Sequence, residues 1–516
     1  MKTKLFQHGH VGSGRRLVAL ALAIACAVPA SLAPVSISAQ NLPNLGDTDR
    51  EELSPQMERK LGEEIMRDIR RDRDYLDDGP LNEYLNYFGS SLVAIHPEAR
   101  GEAGYDYNFF AVRDPMLNAF ALPGGFIGVH SALILAAQSE SELASVLAHE
   151  IGHVSQRHIA RMIGQQKQDA LIPLAAMVMA ALAARSSSNA SAALMMGGQG
   201  YAMQRQLSFS RDAEREADRV GLQILGQAGF DTSGMISFFG RLQNATRAYN
   251  DSAPAYLRSH PLTTERIADI QARTRNQPYR QHADTLDFHL IRARTRVLQD
   301  LSPQGLRDAG TALENQLQQK NAIQTAAAKY GLAFLALRQG ALDRAQTLLQ
   351  ESQASARSSG AAIKTSAYPS LAIDIKLAAR QPDEALREAK AARERYPLSR
   401  GLVWQYADAL IAGNKFDEAI TFLRDQAQLY RSEQQLQDLL ARAYAAQGKQ
   451  ALQHMALAES YALSGSLLAA LDQLGIARRS PDASFYDQAV IDARERELQT
   501  RWREESKAGQ AGQKGK

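Results

Sequence analysis

His149-Glu150-Ile151-Gly152-His153 decides how this chain is read. Two histidines stand four residues apart, with a glutamate beside the first. On a helix, positions i and i+4 share one face a turn apart. Two imidazoles placed so can grip one Zn²⁺, and the adjacent glutamate can reach a water beside the metal. The flanking residues support a helix: Leu143, Val146, Leu147, Ile151 and Val154 form an apolar side. Ser141 is a candidate cap, so a helix is expected from Ser139 to about Gln165.

A catalytic zinc needs a third protein ligand and an open position. His158 lies nine residues after His149, which on a continuous helix points it away from the site. The metzincin pattern needs glycine at 156 and histidine at 159, where this chain has Gln156 and Ile159. A later acidic helix supplies the alternative, since Glu214 and Asp218 share a face at i, i+4. Glu214 can bind the metal while Asp218 accepts the N–H of a ligating imidazole and fixes its tautomer. Glu216 falls on the opposite side and is expected in solvent. On spacing alone this helix reads equally as a charged surface, and the upstream histidine pair tips the balance.

Around these motifs the periodicity divides the chain. Residues 49–92 read as an amphipathic helix pair broken at Gly79-Pro80. Tyr105, Tyr107, Phe109 and Ala111 alternate as a strand does. Asn118–Leu122 and Phe126–Val129 flank the turn Pro123-Gly124-Gly125, which predicts a small antiparallel sheet. The apolar run 170–184, interrupted by Pro173, is short for a membrane span and reads as a buried hairpin or a cover over the site. A membrane-contacting loop is the other reading. Helices are expected at 203–228, 233–249, after Thr263 or Thr264, and at 288–298. From about Ser302 alanine-rich helix pairs take over. Ala385 and Ala419 are 34 residues apart, the tetratricopeptide period, and Ala345 to Ala385 is 40, which implies a longer loop. Four such pairs are expected, the last around Ala456 to Leu474, followed by a disordered tail from about 501.

The composition fits two or three globular domains in 516 residues. The formal charge of +3 owes four cations to residues 1–39 and becomes −1 without them, which leaves no case for nucleic-acid binding. Those residues read as an export signal: a basic start, an apolar core from Leu17 to Val28, and small residues near Ser38 and Ala39. Cys26, the single cysteine, lies inside that core and only faintly matches a lipoprotein site. A mature chain without cysteine must build its metal site from histidine and carboxylate.

Together, His149-Glu150-x-x-His153, Glu214-x-x-x-Asp218 and Asn118-Ala119-Phe120-Ala121-x-Pro123-Gly124-Gly125 resemble the M48 metallopeptidases. The export signal and C-terminal repeats are similar to those of the periplasmic members of that family. The resemblance implies one zinc per chain held by His149, His153 and Glu214, with Glu150 as general base. It implies a mainly α protein: a gluzincin-type α+β protease domain (45–300), then an all-α repeat solenoid (301–500). It also implies an extended peptide pairing with the strand beside Pro123-Gly124-Gly125. Implied clients are unfolded or misassembled proteins, with outer-membrane β-barrel proteins and their assembly machinery as partners of the repeats. The oxyanion needs a donor, and His260 and Arg266 are the candidates. His260 has two other readings, as an occupant of the open zinc position and as a cap before Pro261. A chaperone or scaffold with structural zinc, and a membrane-anchored protease using 170–184, are the competing functions.

Overall fold

Helix α1 (Pro55–Arg71) and helix α2 (Gly79–Ile95) begin on side-chain caps. Ser54 accepts the amide of Met57, and Asp78 that of Leu81, with a proline in each first turn. Gly79-Pro80 therefore opens α2 instead of breaking a helix pair: proline lacks only an N–H that the first turn leaves unbonded anyway. The computed structural model describes residues 53–101, 104–164, 210–248, 255–275, 280–319, 321–360 and 362–514. The expected export signal and the 170–184 run lie outside the described residues. No helix within them is long and apolar enough to cross a membrane.

Strands β1 (Asn108–Val112), β2 (Ala119–Leu122) and β3 (Phe126–His130) form one sheet in the order β1-β3-β2. The Pro123-Gly124-Gly125 turn makes β2 and β3 antiparallel, pairing Ala121 with Ile127. Both glycines have positive φ, 77° and 89°, which explains their place in so tight a turn. β1 pairs with β3 in parallel, Phe109 opposite Ile127, so the sheet is mixed and not antiparallel throughout. Alternation reveals which face a residue takes, but not which strand lies next to it. Val112 also bridges to Tyr75 outside the sheet. Among the described residues, β2 is left with an unpaired outer edge.

After the short helix α3 (Ser131–Ala136) comes the buried helix α4 (Glu140–Ser155), with both motif histidines. Its cap is Ser139, which accepts the amide of Glu142, and not Ser141, which is the second residue of the first turn. The expected helix to Gln165 is broken: Arg157 takes φ 53°, and α5 (His158–Gly164) starts in a new direction. Helix α6 (Arg211–Gln227), capped by Ser210, crosses α4 where both chains carry glycine. A Cβ on Gly152 would stand 2.9 Å from the carbonyl oxygen of Ala217, and one on Gly221 would stand 3.0 Å from the amide of His149. Helices α7 (Ser233–Ala248), α8 (Ala255–Ser259), α9 (Thr264–Thr274) and α10 (Leu286–Leu298) complete the surroundings of the site.

Helix α11 (Pro303–Leu317) leads into antiparallel pairs. These are α12 (Ala322–Arg338) with α13 (Leu342–Ser358), α14 (Ala367–Ala378) with α15 (Pro382–Arg395), and α16 (Arg400–Ala412) with α17 (Phe416–Leu429). Then come α18 (Gln434–Ala446) with α19 (Gln450–Leu463) and α20 (Leu467–Arg479) with α21 (Phe485–Lys514). The described residues thus hold five pairs, one more than expected. The unit proposed at 456–474 straddles α19 and α20, because alanine-rich sequence is equally periodic in either phase. Arg442 reaches Asp408 at 2.6 Å across one 34-residue repeat. The tail from 501 continues α21 to Lys514. Its alanines, lysines and glutamines favour helix once one is under way.

The core does not stop at residue 300. One apolar cluster runs from Leu76 through Phe109, Leu147 and Phe288 to Tyr330 and Leu371. Arg294 of α10 is buried against Asp78 at 2.8 Å, and Glu83 of α2 bonds Ser366, Ser399 and the amide of Gly401. The close α4–α6 crossing makes a direct prediction. Gly221→Ala should lower stability by about 1–3 kcal/mol through overpacking. Gly240→Ala, where an added Cβ meets nothing within 4 Å, should raise it by roughly 0.5–1 kcal/mol as an ordinary helix substitution. Denaturant midpoints of the two variants check this, and equal midpoints would contradict it.

Candidate metal centre

The α4–α6 crossing brings the acidic face of α6 onto the histidine face of α4. His149, His153, Glu214 and His260 each offer one ligand atom, and these atoms lie within 4.8 Å of one another, all buried. His149 Nε2 and His153 Nε2 are 3.0 Å apart. Glu214 lies between them, with Oε2 3.5 Å from His149 Nε2 and Oε1 3.4 Å from His153 Nε2. His260, in the turn between α8 and α9, places Nδ1 3.0 Å from Glu214 Oε1 and Nε2 3.5 Å from Glu150 Oε1. Tyr256 stacks on the His260 ring at 4.6 Å, a residue that no sequence signal marks.

Asp218 Oδ1 stands 3.0 Å from His149 Nδ1. An ionised carboxylate can only accept, so His149 donates there, and a neutral His149 then presents the lone pair of Nε2 to the site. Lone pairs of two imidazoles and a carboxylate aimed at one buried point repel each other unless a cation lies among them. The donor set of two nitrogens, a carboxylate oxygen and a further imidazole suits a divalent metal with a preference for N and O ligands. The residues present therefore fit a resident metal.

The surrounding charges hold this arrangement. Arg266 is expected from sequence as an oxyanion donor, yet its guanidinium is fully used on the protein. Nε and Nη2 bond the two oxygens of Asp218 at 2.7 and 2.8 Å, and Nη1 meets the Pro261 carbonyl and Glu214 Oε2 at 2.8 and 2.7 Å. It positions the two carboxylates. Burial alone would raise Asp218, but the bonds from Arg266 and His149 outweigh it and leave the carboxyl below its usual range. Glu214 shows the same balance: burial opposes its charge, and His260, His149 and His153 together pull it well below normal. Glu150 is different. Burial pushes its carboxyl up, and His260, His149 and the Ala121 backbone only partly offset this.

Two further expectations need correction. His158 does not point away, because the helix breaks before it: its Nδ1 is 2.9 Å from His153 Nδ1. Glu216 is not simply solvated, but meets His158 Nε2 at 3.1 Å and Arg161 at 3.0 Å. Periodicity over an unbroken helix hides both contacts.

The buried ion pair sets an energetic test. Arg266→Ala strands two buried carboxylates, and removing one partner of such a pair costs about 3–5 kcal/mol. Arg215 pairs with Glu265 at 3.0 Å on the surface, and Arg215→Ala should cost under about 1 kcal/mol. Denaturation of metal-free protein separates the two; similar losses would show that the Arg266 network does not carry the fold.

Residues 90–274 match the sequence profile of peptidase family M48. The chain is 32% identical over 469 residues to the beta-barrel assembly-enhancing protease of Escherichia coli (strain K12), covering 90% of this chain and 93% of that one. It is 40% identical over 253 residues to a putative beta-barrel assembly-enhancing protease of Vibrio cholerae, covering 49% and 51%. The mitochondrial metalloendopeptidase OMA1 of Schizosaccharomyces pombe is 30% identical over 192 residues, covering 37% and 52%. With its buried histidine–glutamate centre and this similarity along most of its length, the chain belongs to peptidase family M48 and is a metalloendopeptidase.

Proposed function

We propose that the chain is a periplasmic zinc endopeptidase acting on unfolded or misassembled proteins, with His149, His153 and Glu214 as ligands to one zinc and Glu150 as general base. The observation that carries this is the convergence of His149, His153 and Glu214 beside the buried carboxyl of Glu150. Zinc, when bound, supplies Lewis-acid polarisation of the scissile carbonyl and of the attacking water. Glu150 takes the proton of that water and returns it to the leaving amine. Its raised carboxyl suits both halves of that task, since a base that holds the proton loosely or too firmly cannot complete the cycle. Asp218 keeps His149 in the tautomer that presents Nε2, and Arg266 keeps Asp218 ionised.

His260 would be a further ligand that substrate could replace: its Nδ1 lies 3.0 Å from Glu214 Oε1, and Tyr256 stacks on its ring. His260→Ala tests that assignment, and unchanged proteolysis with unchanged zinc geometry would remove His260 from the mechanism. Substrate adds as an extended strand to the open edge of β2, which runs past Glu150 at Ala121. Only unfolded or unpaired segments can bind this way, which selects clients by conformation and not by side chain.

The protease domain is assigned to 45–300 and the repeat domain to 301–500. Stacked helix pairs present a concave surface to partners. Because the relatives are beta-barrel assembly-enhancing proteases, the partners inferred for the repeats belong to outer-membrane β-barrel assembly. A periplasmic address follows from the export-signal pattern at 1–39 and from that setting.

Glu150→Gln is the deciding variant. It should keep one zinc per chain and client binding while kcat/KM for peptide cleavage falls by about 10²–10⁴-fold. Normal cleavage by this variant would remove Glu150 from the mechanism, and full client handling without any cleavage by the unaltered chain would favour the competing reading, a chaperone or scaffold whose metal is structural.

A further inference from the structure

Arg157 is a non-glycine residue with a left-handed backbone, φ 53°, a conformation in which its Cβ crowds the following carbonyl. Its guanidinium is tied down by Glu58 Oε1 at 2.8 Å and by the Leu53 carbonyl at 2.6 Å, both on the approach to α1 or within it. Strain held by such contacts marks a place where the chain is forced to turn. Here the turn re-aims the next residue. On an unbroken helix His158 would sit about 140° around the axis from His153, yet the two Nδ1 atoms are 2.9 Å apart and both rings are buried.

We propose that His158 is a positioning residue for the metal centre, accepting the Nδ1 proton of His153 and anchoring it through Glu216 to Arg161. The hydrogen-bond directions follow from the far end. Glu216 accepts from Arg161 and, as a carboxylate, can only accept from His158 Nε2. That places the single proton of neutral His158 on Nε2, so its Nδ1 is an acceptor. His153 then donates from Nδ1 and presents Nε2, bare, to the metal. The result parallels the Asp218–Arg266 support of His149, and both supports pass through α6, at Glu216 and Asp218, two residues apart on the helix that provides Glu214.

The two supports differ in depth. Asp218 and Arg266 are each 2% exposed, whereas Glu216 is 29% and Arg161 39% exposed. One ligand is thus fixed to an interior ion pair, and the other to a histidine that ends at a solvent-exposed pair.

The inference rests on His153 being a metal ligand, and the test keeps the two claims apart. Zinc affinity of the full chain is measured by chelator competition, together with the visible spectrum of the Co²⁺-substituted protein. Thermal unfolding of the metal-free form serves as a structural control. His158→Ala should weaken zinc binding about 10–100-fold and shift the Co²⁺ bands, with little change in metal-free unfolding. His158→Asn, whose Oδ1 can accept the same proton, should recover most of the affinity. Unchanged affinity in His158→Ala, or equal loss in both variants, overturns the proposal. Should His158→Ala not fold, Glu216→Ala is read instead: a smaller loss in the same direction supports the proposal, and none overturns it. His153→Ala is the control. If it keeps stoichiometric zinc, the ligand assignment fails too; if it alone loses zinc, only the role of His158 fails.

Discussion

Everything chemical in this protein depends on how closely α6 can lie against α4. Gly152 and Gly221 remove two Cβ atoms at the crossing, and backbone meets backbone there. Only at that separation can a side chain as short as glutamate reach between two histidines of the neighbouring helix. The same approach gives Asp218 to His149 and Glu216 to His158. One helix thus supplies Glu214 and a carboxylate partner for each of two histidines, and a shift of an ångström between the helices would disturb all three at once. Arg266 counters the electrostatic cost of crowding two carboxylates there.

Much of this was legible in the sequence, because the metal motif is local. His149, Glu150 and His153 are fixed by one turn of helix, and Glu214 and Asp218 by another, so spacing alone puts each set on one face. The contacts that were missed involve a break in the pattern. Arg157 leaves the helix through a conformation that no residue type announces, and with that turn His158 and Glu216 change from bystanders to neighbours of the site. The partners of Arg266 are hidden in the sequence because they lie 48 and 52 positions earlier in the chain, at Asp218 and Glu214. The parallel β1–β3 pairing was invisible for a related reason: alternation encodes faces and turns encode hairpins, but neither encodes a strand inserted between two others. In the repeats, the 34-residue period was legible, while its phase at the degenerate end was not.

The repeats are joined to the protease portion by shared core and buried charge. α10 packs with α12, and Arg294 sits between Asp78 and Tyr330. Glu83 reaches forward to α14 and α16. A repeat array that only tethered clients would need no such joint. This one holds the first helix pairs against α2, whose own residues pack beneath the sheet, so the repeats and the open edge of β2 are parts of one framework.

The central claim is that one zinc sits among His149, His153 and Glu214. X-ray absorption at the zinc edge on purified, metal-replete protein tests it most directly. Such a site gives one zinc per chain with only nitrogen and oxygen neighbours, at about 2.0–2.2 Å, and outer-shell scattering from at least two imidazoles. A substoichiometric metal, or a spectrum lacking imidazole scattering, would contradict it.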